Sequence, residues 1–111
     1  MPDDCLFCKI VKREVPSEFL YEDDDYVVFR DIHPAAPVHL LLVPKKHIRS
    51  INDLEPGHEA LVGGLFTLAG KMAVQEGVNA SGYKLLFNVE KGGGQEIFHI
   101  HLHLLGGWQR K

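Results

Sequence analysis

Residues 99–105 read His-Ile-His-Leu-His-Leu-Leu, so three of the chain's seven histidines fall within five positions. Polar and apolar residues alternate there with period two. In a β-strand that period places His99, His101 and His103 on one face and Ile100, Leu102 and Leu104 on the other. The apolar face calls for a cover. Three imidazoles side by side form a costly polar cluster unless they bind or transform something. Three readings are open on the residues alone: a solvated strand face, a metal site using imidazoles at i, i+2 spacing, and nucleophilic catalysis by a neutral imidazole on a phosphorus centre.

The residues upstream favour a phosphate. Lys91-Gly-Gly-Gly-Gln-Glu96 brings Gly92, Gly93 and Gly94 directly before the histidine run. Glycine backbone can approach an anion closely and aim N–H groups at it. Asn88 and Gln95 add neutral amide donors. Neither the Walker nor the dinucleotide-binding glycine pattern is present, so a nucleotide would be held by another device.

The remaining chain supplies the cover and the sheet. An apolar stripe of Leu61, Leu65, Leu68 and Met72, flanked by Val62, Phe66, Ala69 and Ala73, predicts a helix from about Gly57 to Gly77. Gly63, Gly64 and Gly70 weaken that helix but permit close packing, within the chain or against a partner. FLYED and YVVFRD read as a hairpin with an acidic turn, VHLLLVPKKH as a central strand, YKLLFNVE as another, and FHIHLHLLGG as the last. CLFCKIVKREVP reads as a short N-terminal helix ending near Pro16. The expected fold is therefore α+β: an antiparallel sheet of about five strands with one long helix and a short N-terminal helix. With 111 residues the chain is one domain, 1–111.

Charge and composition exclude several classes. A net charge of −3 argues against a general nucleic-acid binder. No apolar run is long enough to span a membrane, and the N-terminus lacks the basic and apolar regions of a signal peptide. Two cysteines, Cys5 and Cys8, make no disulfide framework and fit a reducing compartment. The expected location is the cytoplasm. As a single C-x-x-C they read as half a zinc site, a redox pair or two packed thiols. No βαβ pattern surrounds them, which weakens the redox reading.

The motif HIHLHLL, with YEDDDYVVFRDIHPAAPVHLLLVPKKHI and GGGQEIFHIHLHLLGG around it, resembles the histidine triad (HIT) superfamily over nearly the whole chain. Within it, the chain is similar to the nucleotide-binding branch of homodimers that hydrolyse purine nucleoside 5′-phosphoramidates to a nucleoside monophosphate and an amine. The resemblance implies that His101 is the nucleophile forming a nucleotidyl-histidine. His103 would contact the phosphate, and His99 would support the site or serve a metal. It implies that Asn88, Gln95 and the Gly94 loop hold the phosphate and Asp31 the ribose hydroxyls, with Phe7, Ile10, Phe29 and Ile32 forming the base slot. His39 would stand behind the nucleophile. Without the resemblance, Phe29 and Ile32 are ordinary core and Asp31 a turn acid. His103 stands where the related nucleotidyltransferases have glutamine, which favours hydrolysis. The same resemblance completes a structural zinc set from Cys5, Cys8, His47 and His99, with no organic cofactor.

Two other readings use the same residues: a nucleotide-binding module with weak catalysis and a protein partner, and a dinucleoside polyphosphate hydrolase. Glu96 departs from the family, where a serine is common. A carboxylate there would stand beside an anionic phosphate. The expectation is that it turns to solvent or pairs with Lys91. The alternative is a protonated Glu96 that donates to the leaving amine.

Overall fold

The structure is a computed structural model that describes residues 4–109. Its elements run α1 (Leu6–Val11), β1 (Tyr21–Glu22), β2 (Tyr26–Arg30), β3 (Val38–Pro44), α2 (Glu59–Gln75), β4 (Tyr83–Leu86) and β5 (Leu102–Gly106). The five strands form one sheet in the order β1-β2-β3-β5-β4, antiparallel at every pairing. This is the α+β architecture expected from the periodicities.

The sheet is covered on both faces, and alternation sorts the residues between them. Val28, Leu40, Leu42, Leu102 and Leu104 pack under α2 against Leu65, Leu68, Ala69 and Met72. Val27, Phe29, Leu41 and Val43 point the other way, to Phe7, Cys8 and Ile10 of the N-terminal segment. That is why β2 and β3 read as nearly unbroken apolar runs. α2 lies close over the sheet at Gly64, where a Cβ would fall 2.1 Å from the Tyr26 hydroxyl. The same hydroxyl donates to the Leu61 carbonyl at 2.6 Å. Gly64 is thus a notch for this chain's own tyrosine. Among the described residues no helix is long and apolar enough to cross a membrane.

Several boundaries differ from the sequence expectation. α1 stops at Val11, not near Pro16. Arg13 takes a left-handed φ of 63°, and the N–H groups of Arg13 and Glu14 donate back to Ile10 and Lys9, a Schellman closure. β4 ends at Leu86, leaving Asn88 on the following loop. β5 starts only at Leu102, so His99 and His101 precede the strand. The cause lies in β3, which ends at Pro44. Proline has no N–H to extend the ladder. Its carbonyl is taken by the His99 ring at 2.6 Å, and the Ile100 N–H turns to the Ile48 carbonyl at 2.8 Å.

Candidate active site and metal centre

On the α1 side of the sheet lies a cavity of about 440 Å³. Phe7 and Ile10 of α1, Phe29 at the end of β2 and Ile32 beyond it form its apolar part, with Leu6, Val15, Leu41 and Ile97. Asp31, Asn88, Gly94, Glu96, His101 and His103 supply its polar part. Ile32 is 86% exposed, so it forms a rim and is not core. Phe7 stands edge-on to Phe29 at 5.4 Å and to His101 at 5.0 Å, joining the apolar slot to the imidazoles.

The hydrogen bonds around each imidazole set its tautomer. His101 Nδ1–H donates to the His99 carbonyl at 2.8 Å. Nε2 of His101 therefore keeps its lone pair, on a ring that lines the cavity. Burial holds the His101 pKa below the ordinary imidazole value, so the ring is neutral at pH 7. His39 Nδ1 accepts the Ala35 N–H at 3.0 Å, which places the His39 proton on Nε2. That nitrogen lies 2.9 Å from His103 Nδ1 and 3.5 Å from an Asp31 carboxylate oxygen. His103 accepts at Nδ1 and so carries its proton on Nε2, 3.4 Å from the Asn88 amide nitrogen. Two N–H groups meet there, and an anionic oxygen bound in the cavity can accept from both. Burial lowers the His103 pKa to about 4.

His99 takes a different part from its neighbours. It is fully buried and lies outside the cavity wall. Its Nε2–H donates to Pro44, so Nδ1 offers a lone pair to Cys5 Sγ at 3.4 Å, Cys8 Sγ at 3.5 Å and His47 Nδ1 at 3.2 Å. Cys8 Sγ lies 3.3 Å from His47 Nδ1. All four ligand atoms fall within 4.8 Å of one another. A tetrahedral zinc ion with ordinary bond lengths sets its donors about 3.3–3.8 Å apart, so the set fits that ion. The carbonyl partner on Nε2 is the usual way to orient a metal-bound imidazole. Burial raises the Cys8 pKa to about 11 and lowers that of His47. Binding a metal would displace the thiol proton.

Two expectations about the glycine loop need correction. Gln95 does not line the cavity. It is buried, its Nε2 donates to the carbonyls of Arg49 and Ile97, and its Oε1 accepts the Glu90 N–H at 2.8 Å. The loop N–H groups are not aimed at an anion either. Those of Gly93 and Gln95 donate to the Glu90 carbonyl, and that of Gly94 to Lys91. The loop builds a wall, with Gly94 at a φ of +86° that requires glycine. Its anchor is Glu90, held at φ 61° and ψ 175°, with its carboxylate on Ser50 at 2.6 Å and Arg49 at 2.5 Å. Glu96 makes no ion pair with Lys91 among the described residues; it is exposed at the mouth of the cavity. Val15, Pro16, Ser17 and His33 line the cavity as well. Only the folded contour marks them as lining residues.

Comparison with known proteins places this geometry. The family model described as scavenger mRNA decapping enzyme C-term binding matches residues 4–109. The HIT family hydrolase from Legionella pneumophila Philadelphia 1 superposes with a TM-score of 0.93 at 52% identity, over 96% of this chain and 95% of that one. The chain belongs to the histidine triad family. Among curated relatives, this HIT protein is 47% identical over 107 residues to the purine nucleoside phosphoramidase of Escherichia coli strain K12, covering 96% of the chain and 90% of the relative. It is 46% identical to protein HitA of Neisseria gonorrhoeae, over 94% of the chain and 96% of the relative. The HIT signature and the cavity above it are therefore in the setting from which the sequence motif takes its meaning.

Proposed function

We propose that this HIT protein hydrolyses purine nucleoside 5′-phosphoramidates through a covalent nucleotidyl-His101 intermediate. One observation carries the reading: a buried, neutral His101 whose Nδ1–H is bound to the His99 carbonyl, leaving Nε2 free to attack. Nε2 forms a bond to phosphorus as the P–N bond breaks, and the amine departs with the electron pair and a proton taken from solvent. Water then attacks phosphorus, the P–Nε2 bond breaks with its electron pair returning to the imidazole, the water's proton goes back to solvent, and the nucleoside monophosphate leaves. His103 Nε2–H and Asn88 Nδ2 stabilise the non-bridging oxygens during both displacements. Asp31 takes the ribose hydroxyls, and Phe7, Ile10, Phe29 and Ile32 take the base. The likeness to the E. coli enzyme supports the substrate class.

Cys5, Cys8, His47 and His99 would hold one zinc ion, whose part would be structural: to fasten the N-terminal segment to the sheet. The chain acts as a single domain, in the cytoplasm, and as a homodimer. The unpaired outer edge of β4 and the exposed Phe66 and Val74 of α2 support the dimer. Steady-state rates on an adenosine phosphoramidate and on a diadenosine polyphosphate test the activity. Faster turnover of the phosphoramidate is the expected result; a preference for the polyphosphate would move the protein to the dinucleoside polyphosphate hydrolases.

A further inference from the structure

A second cavity, of about 360 Å³, lies beside the first, and the two share Leu6, Glu96 and Ile97 as walls. Glu96 therefore stands between the place of the phosphate and an adjoining space. The reaction supplies something to fill that space. The nucleoside occupies the apolar slot, so the group on the far side of phosphorus from His101, the leaving amine, must extend elsewhere.

Among the described residues, the second cavity is lined by one permanent cation and two carboxylates. Arg49 lines it, but its guanidinium is engaged by Glu90 at 2.5 Å and lies 3.9 Å from Asp53. Asp4 and Glu96 line it too, both exposed, and neither forms an ion pair among the described residues. His47 and Cys5 belong to the metal cluster, which is uncharged overall either as neutral thiols and imidazoles or as two thiolates around a divalent ion. Among the described residues the two carboxylates of this wall outnumber its one cation, and Glu96 is the carboxylate that also lines the first cavity. Beside an anionic substrate such a carboxylate is unfavourable unless the substrate brings a compensating cation.

We infer that Glu96, with Asp4, selects phosphoramidates whose leaving amine carries a positively charged group beyond the P–N nitrogen, and that the second cavity is the site for that cationic group. The inference rests on the phosphoramidase reading and adds the chemical class of the amine. Glu96 acts here as a specificity residue. It recognises charge one step away from the P–N bond.

The test uses two phosphoramidates of the same nucleoside. One is made from a diamine, so that its free end is an ammonium; the other is made from an amine of equal length with a neutral end. kcat/KM should favour the cationic compound by about five-fold, the size of a solvated ion pair, and added salt should reduce that ratio. Glu96→Gln should bring the ratio close to one, and Glu96→Asp should retain most of it. Equal rates in the wild type, or an undiminished ratio in Glu96→Gln, would overturn the inference. A chain that turns over neither compound fails the phosphoramidase reading instead. The affinity ratio of the two compounds, measured by calorimetry, then decides the charge selection independently, with equal affinities overturning it.

Discussion

The backbone carbonyl of His99 accepts the Nδ1–H of His101 at 2.8 Å, while the ring of the same His99 stands 3.4 Å from Cys5 Sγ. One residue thus fixes the His101 tautomer with its main chain and joins the cluster of Cys5, Cys8 and His47 with its side chain. Protein purified without chelator should contain about one zinc per chain. Cys8→Ser should lose it and melt roughly 10 °C lower, as expected when a tightly bound ligand no longer stabilises the native state. Metal analysis and a thermal scan check this; a zinc-free wild type with both thiols titratable would leave the cysteines as packing residues.

His39 sets the proton of His103 from behind. His39→Leu removes both the donor to His103 Nδ1 and the acceptor for Ala35. The loss of a correctly placed N–H on the phosphate should lower kcat by about a hundred-fold, with KM changed little. His39→Gln, which can still donate, should recover part of the rate. A loss in KM alone would show that His39 serves binding and not the displacement.

Gln95 is the buckle of the glycine loop, and its test is stability. Gln95→Leu takes the Gln95 partner from the Glu90 N–H and from the carbonyls of Arg49 and Ile97, a cost of about 2–3 kcal/mol. Denaturant unfolding should show it, with a fall in activity as the Asn88–Gly94 wall loosens. Unchanged stability would mean that the loop holds through Glu90 and Ser50 alone.

Burial holds His99 and His103 each near a pKa of about 4, below the unfolded value of about 6.5. Between those values the unfolded chain binds more protons than the native one. Stability is therefore full above pH 6.5, falls as the pH drops toward 4, and levels below it. In metal-free protein the melting temperature should follow that course, and His103→Gln should make the slope shallower. A flat profile between pH 6.5 and 4 would contradict neutral, buried imidazoles.

The sheet, its two covered faces and the helix over residues 59–75 were legible because alternation and the 3.6-residue stripe are set by burial. His101, His103, Asn88 and Asp31 line one cavity, a grouping that the resemblance implied and that spacing alone did not. The early end of the last strand was not, since it depends on Pro44 across the sheet. The place of Gln95 was not legible, because an amide suits a phosphate and a backbone carbonyl equally. Three loop N–H groups were spent inside the loop, which composition cannot reveal. His33 and the Val15–Ser17 segment reach the cavity through chain path alone.

The central claim is that Nε2 of His101 becomes bonded to phosphorus. Mixing the protein with an adenosine phosphoramidate, quenching within the first turnover and mapping the digest by mass spectrometry tests it directly. The account predicts an adenylyl group on the peptide bearing residues 99–103, assigned by fragmentation to His101, and no adduct in His101→Ala, whose turnover falls by about four orders of magnitude or more. An adduct on His99 or His103, or a His101→Ala variant that keeps its rate, would contradict it.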